Sequence, residues 1–139
     1  MINNELEKAR AIQEQLVQYR RYLHAHAEVG FDLPKTFAFV MDTLRQLGYE
    51  PQKVGRCGIV ATLGKGEPAV MLRADMDALP LKEESGLPFA CQNGNAHVCG
   101  HDLHTAMLLG AAALLKQDEA RRFLRLQHEL RLKRASVNP

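Results

Sequence analysis

Cysteine is scarce in this 139-residue chain: Cys57, Cys91 and Cys99 are its only three. An odd number at irregular spacing suits neither a disulfide framework nor a CxxC zinc ribbon, so reduced thiols are expected. Long apolar runs are also lacking, and no stretch approaches the ~20 residues that a membrane helix requires. The opening "MINNELEKAR" has neither the apolar stretch nor the small-residue cleavage site of a secretory leader. A cytoplasmic protein with no membrane partner is the expectation. Charge of one sign is not in excess either, since 18 Lys and Arg against 16 Asp and Glu leave a net +2. Binding to nucleic acid would have to rest on the basic tail "RRFLRLQHELRLKR" alone. There Leu124, Leu126, Leu130 and Leu132 interrupt the charges without one clean apolar face, and no aromatic stacking platform accompanies them. No nucleic-acid partner is expected. Internal repeats and low-complexity tracts are absent, and the length fits one domain.

What is present reads as an α/β chain. Between residues 4 and 26, Leu6, Ile12, Leu16, Tyr19 and Leu23 recur at helical spacing, with Asn3 or Asn4 available as an N-cap. Gly30 and Pro34 then break the pattern, and Phe37, Val40, Met41, Leu44 and Leu47 restore it until Gly48 ends it. Two short runs rich in β-branched and apolar residues follow, "GIVATLG" and "AVMLRAD", which predict two strands, the second buried. Residues 75 to 100 predict a long loop. "TAMLLGAAALLK", residues 105 to 116, predicts a buried helix, and beyond Gln117 the composition turns to arginine and leucine. The expected organisation is residues 1–117 as the N-terminal part of one domain and residues 118–139 as a divergent basic tail.

The densest chemistry is "HVCGHDLH", which places three histidines, a cysteine and an aspartate in eight positions. Thiolate and imidazole are both good ligands for zinc and similar metals. In extended backbone, side chains two positions apart point the same way, so His97, Cys99 and His101 can converge on one point if the loop is strand-like there. Gly100 relaxes the backbone between two of them. If a helix begins near Asp102, His101 and His104 share a face one turn apart. The same residues also have a plainer explanation, with Asp102 as the helix N-cap and His104 as a first-turn residue facing water.

"LRADMDALP" is the second notable stretch. A buried strand ending in two aspartates carries carboxylates to the edge of a sheet, where open α/β folds place their sites. Asp75 and Asp77 alternate and can share a face while Met76 points to the core. Beside a histidine cluster, such a carboxylate can orient a metal-bound imidazole. Glu83 and Glu84 read as solvated loop acids. His24 and His26 lie near a helix end, where a favourable interaction with the helix dipole explains them without a catalytic role.

Taken in order, "RRYLHAHAEVGF", "GIVATLG", "VMLRADMDALPLKEESGLPFA" and "HVCGHDLHTAMLLGAAALL" resemble the N-terminal part of the M20 family of metallopeptidases. The likeness runs from about residue 20 to residue 117 and is strongest to the amidohydrolase branch, which includes N-acyl-amino-acid amidohydrolases and hippurate hydrolases. It implies part of a zinc-peptidase-like catalytic domain, with helices packed on a small mixed sheet. It implies a metal-dependent hydrolysis of N-acyl amino acids as small-molecule substrates, at a two-metal site of zinc, manganese or cobalt. By the same resemblance Cys99 and His101 are metal ligands, and Asp77 matches the aspartate that supports a ligand. Asp75 stands where other branches carry a ligand histidine. Family members continue into a strand, a Glu-Glu pair that supplies the general base and a ligand, two further ligand histidines and a small domain that often dimerises. None of these follows Gln117, and Glu129 has no matching context. A truncated and inactive form is therefore expected, with a non-catalytic metal- or partner-binding remnant as the alternative.

Overall fold

The computed structural model describes residues 2–66 and 68–135, with side chains described at residues 4–66 and 68–119. Side chains of the basic tail from Ala120 onward, including the four leucines and Glu129 considered above, lie outside the described residues. Four helices and a two-stranded antiparallel sheet make up the regular structure: α1 Ile2–Ala11, α2 Gln13–Ala25, α3 Pro34–Gln46, β1 Gln52–Val54, β2 Gly58–Val60 and α4 His101–Ala135.

The single helix expected over residues 4 to 26 is two. Ile12 leaves helical geometry at φ −104° and ψ 8° and divides α1 from α2. The side chains of α1 are mostly exposed, and Lys8 ties it to α4 through Asp118 at 3.0 Å. By contrast, α2 is anchored in the core. Leu23 is almost fully buried and meets Val40 and Leu44 of α3, Tyr49 and Leu109 of α4 in one apolar cluster. Leu16 packs directly over Gly110, where a Cβ would lie 2.6 Å from Leu16 Cδ2. Glycine costs a helix about 1 kcal/mol relative to alanine, and here it lets α2 and α4 approach.

The ends of α3 follow from its sequence. Pro34 stands in the first turn, where its missing N–H costs nothing. The N-cap Leu33 has no capping side chain, and Glu28 does that work from outside the helix. Its carboxylate accepts the backbone N–H groups of Lys35 at 3.0 Å and Thr36 at 2.9 Å, satisfying two of the orphan donors of the first turn. At the other end Gly48 turns left-handed at φ +85°. Gly48 N–H donates to Arg45 C=O and Tyr49 N–H to Leu44 C=O, the paired bonds of a Schellman motif. The Tyr49 hydroxyl then donates to the Ala112 carbonyl at 2.8 Å, fastening this corner to α4.

The expected strand "GIVATLG" is real but shorter, ending at Val60, and its partner Gln52–Val54 gave no strand pattern in the sequence because all three residues are exposed. The expected second strand "AVMLRAD" is a correction. Residues 69–75 form no strand, and Val70, Met71 and Leu72 are 89%, 86% and 55% exposed rather than buried. A strand needs a neighbour for its backbone groups, and among the described residues none lies beside this run. The loop expected over residues 75 to 100 holds only isolated bridges, Val29 with Ala78 and Leu79 with Ala96. The last helix is longer than residues 105 to 116 in both directions. It is not buried all round, since Met107 is 58% and Leu115 48% exposed.

The contact between Leu16 and Gly110 is testable. Gly110→Val should destabilise the chain by about 1–3 kcal/mol through overpacking, and Leu16→Ala in the same chain should recover part of the loss. Urea unfolding of the two variants and of the native chain measures both effects.

Candidate metal centre

The loop from residue 75 and the first turn of α4 come together at one hydrogen-bonded pair. His101, the first residue of α4, directs its Nδ1–H at the backbone carbonyl of Asp77, 2.9 Å away, and at the Asp77 carboxylate Oδ1, 3.1 Å away. An imidazole that donates from Nδ1 keeps its lone pair on Nε2. This is how a carboxylate or carbonyl fixes the tautomer of a metal-binding histidine. Thr105, one turn further along α4, donates its hydroxyl to the carbonyl of Asp75 at 2.9 Å and holds the same loop from a second point. Asp75 and Asp77 do not act as a pair, because the Asp75 carboxylate turns to Arg73 at 2.5 Å.

Cys99 is an exposed free thiol two residues before His101, with Gly100 between them at φ +91°. That left-handed glycine makes a bend, so the strand-like convergence of His97, Cys99 and His101 does not occur. His97 points inward and is 7% exposed, whereas Cys99 stays at the surface. His101 and His104 do lie one turn apart, with ring centroids 6.0 Å from each other, and His104 is exposed. Among the described residues no group of three or more His, Cys, Asp or Glu side chains forms a ready metal cage.

Behind this surface lies a buried cluster of charges that the sequence reading did not anticipate. Asp102 is 1% exposed, and it is not the N-cap of α4 but the second residue of the helix. Its Oδ2 accepts Arg20 Nε at 2.8 Å and His24 Nδ1 at 2.7 Å. On its other side, His24 Nε2 reaches Glu83 Oε1 at 2.8 Å. Glu83 is no solvated loop acid: its side chain is 6% exposed, and it also accepts the Ser85 hydroxyl at 2.5 Å and the Cys91 N–H at 2.7 Å. An imidazole facing a carboxylate oxygen from each nitrogen must donate from both, which makes His24 the imidazolium between two anions. Phe89 closes the cluster, its ring edge to the His24 ring and beneath the guanidinium groups of Arg20 and Arg21.

The electrostatics agree with this layout. Burial pushes the Glu83 carboxyl up, but hydrogen bonds from Ser85, His24 and the Cys91 N–H outweigh it and bring the group down to about 2. Asp102 is likewise driven up by burial and brought below the ordinary range by the His24 hydrogen bond and by the charges of His97 and Arg20. Burial lowers His97, with the Asp102 charge acting against it. Both ring nitrogens of His97 and the Oδ1 of Asp102 are buried without a hydrogen-bond partner among the described residues.

These observations test whether the chain suits a divalent metal. An imidazole already oriented through Nδ1, an exposed thiol two residues away along the chain and a buried histidine with unused nitrogens are donor types that a zinc-type site uses. The donors fit as part of a coordination sphere and fall short of a whole one.

The chain thus presents, at the start of α4, a carboxylate-held histidine with a free cysteine two residues before it in sequence. Comparison with known proteins agrees. Residues 71–132 match Peptidase family M20/M25/M40. The chain is 43% identical over 112 residues to N-acetyl-L-cysteine deacetylase of Bacillus subtilis, a match covering 78% of this chain and 27% of that protein. It is 44% identical over 110 residues to N-acyl-L-amino acid amidohydrolase of Geobacillus stearothermophilus, covering 76% of this chain and 30% of the other. A crystal structure from Bacillus subtilis described as a dinuclear metal-binding peptidase of the M20 family superposes with a TM-score of 0.74 at 38% identity, over 80% of this chain and 32% of that one. Over the portion that it shares with these proteins the chain matches the M20 family, and it spans less than a third of their length.

Arg20, His24 and Glu83 carry no local sequence signal that marks them as parts of one cluster. Two of them share the basic pair and histidine of "RRYLH" on one helix, but their acidic partners lie 59 to 82 residues away.

Glu83 makes the pH dependence of stability predictable. Its folded value lies below its ordinary 4.5, so the stability it contributes is complete above about pH 4.5 and is lost as pH falls toward 2. Unfolding measured across pH 2–6 should show this loss in the native chain and a flatter profile in Glu83→Gln. Asp102→Asn should cost about 3 kcal/mol at neutral pH by leaving the buried His24 and the part-buried Arg20 short of their anion, measured by urea unfolding.

Proposed function

We propose that this chain supplies the metal-binding N-terminal portion of a hydrolase acting on the amide bond of N-acyl amino acids. The observation that carries the proposal is the Asp77–His101 hydrogen bond, with the exposed Cys99 thiol two residues before His101 in the chain. It lies in a segment 43–44% identical to a deacetylase and an amidohydrolase of such substrates.

In this reading Cys99 and His101 hold a divalent ion such as zinc, manganese or cobalt, and Asp77 is the positioning group that keeps the proton on His101 Nδ1. When bound, such an ion polarises the scissile carbonyl and lowers the pKa of a water molecule. Thr105 and the Leu79–Ala96 bridge keep the Asp77 loop against α4, so that the imidazole and the carboxylate stay in register. Zinc sites ordinarily use three or four protein donors. Two donors bind weakly, so this polypeptide by itself is expected to turn over little substrate. A second reading, a non-catalytic partner-binding protein, is favoured by the exposed run Val70, Met71 and Leu72.

Cobalt titration followed by absorption tests the assignment. The native chain should develop a thiolate-to-cobalt charge-transfer band that Cys99→Ala abolishes and His101→Ala weakens strongly. Hydrolysis of N-acetyl amino acids by the unaccompanied chain should stay near background with zinc, manganese or cobalt. A band that survives in Cys99→Ala contradicts the ligand assignment. Metal-dependent turnover by this chain alone contradicts the expected lack of activity.

A further inference from the structure

We propose that His24 is a positioning residue for the metal centre, an imidazolium strut that sets the distance between the two chain segments on which Asp77 and His101 are carried. The proposal rests on the metal-centre reading above and deepens it.

Two segments must be held in register for the Asp77–His101 hydrogen bond to form. One is the loop that runs from Asp77 through Glu83 to Cys91, and the other is the first turn of α4, where His101 is followed by Asp102. The structure links them directly through Asp77 and His101, and a second time through the chain Glu83–His24–Asp102, with bonds of 2.8 and 2.7 Å. His24 is 5% exposed and belongs to α2, the helix that packs most extensively on α4, so the second link is mounted on the rigid part of the core. Arg20, one turn earlier on α2, grips the same Asp102 oxygen at 2.8 Å and fixes the carboxylate along the helix. At the other end Glu83 cannot drift, because Ser85 and the Cys91 N–H occupy its two oxygens.

Direction matters as much as distance. A ring that donates from both nitrogens to opposed carboxylates has one orientation, and the His97 ring centroid lies 6.2 Å from it. Buried pairs of opposite charge are weak sources of net stability, because desolvation offsets much of their attraction. Their best-attested use is to specify one arrangement over others, and here the arrangement specified is the one that presents His101. The strut touches neither substrate nor metal; it acts through Asp102 and Glu83.

The test separates positioning from general support of the fold. Cobalt affinity, read from the charge-transfer band, and thermal midpoint are measured for the native chain, His24→Gln and Gly48→Ala, the last being destabilised at a helix end outside the charge cluster. The expectation is that His24→Gln weakens cobalt binding by about 10–100-fold, the range seen when groups behind metal ligands are replaced. Gly48→Ala should lower the midpoint with unchanged affinity. Glu83→Gln, which keeps an oxygen to accept from His24, should lie between the native chain and His24→Gln, and it replaces His24→Gln in the comparison if that variant does not fold. Affinity in the His24 variant equal to that of the native chain, or reduced no more than in Gly48→Ala, overturns the proposal while leaving the ligand assignment standing. Absence of cobalt binding by the native chain overturns both.

Discussion

A carboxylate that is 1% exposed stays ionised only if cations are delivered to it, and the architecture around Asp102 is organised to do so. Arg20 and His24 reach it from α2, and His24 in turn must be balanced by Glu83 from the loop. Each partner brings its own backbone along. The helix pair α2 and α4 is drawn together at its site end by these charges and in its middle by Leu16 seated on Gly110. The apolar cluster of Leu23, Val40, Leu44, Tyr49 and Leu109 supplies the cohesion, and the ionic cluster supplies the register. Moving α4 by one residue would strand three buried charges.

The candidate metal donors sit at the outer edge of that cluster. His101 is the first residue of α4, and the orientation of its ring is inherited from the loop that offers it Asp77. That loop has almost no regular structure, yet it is fastened along its length. Ala78 N–H donates to Glu28 C=O, Leu79 and Ala96 exchange two bonds, and Asn93 and Asn95 both donate to the carbonyl of Ala27. An irregular segment with this many anchors is a fixed scaffold for a site. Burial is graded across it, from His97 inside, through His101 half-covered, to Cys99 at the surface. That gradient takes the buried His97 away from the two residues that simple alternation would have grouped with it.

Much of the architecture could be read from local signals. Pro34 and Gly48 bracket α3 because their own backbone preferences act at the helix ends, and the leucine and valine spacing between them marks the face that meets the core. The stretch from His97 to His104 and the aspartates Asp75 and Asp77 stand out as chemistry in the sequence, and the family resemblance narrows them to Cys99, His101 and Asp77. The charge cluster did not, since a histidine at a helix end and a glutamate in a polar loop have ordinary local explanations. Only the three-dimensional fold brings His24 to Glu83 across 59 residues and to Asp102 across 78. "AVMLRAD" failed for the opposite reason. Its composition states a strong strand preference, but a strand is a property of a pair, and among the described residues that pair is missing.

The central claim is that the thiol of Cys99 and the Asp77-oriented imidazole of His101 belong to one coordination sphere. X-ray absorption at the zinc edge of the zinc-loaded chain tests it most directly. The account predicts one sulfur scatterer at about 2.3 Å together with imidazole nitrogen at about 2.0–2.1 Å. A shell built only of oxygen and nitrogen, with no sulfur, would contradict it.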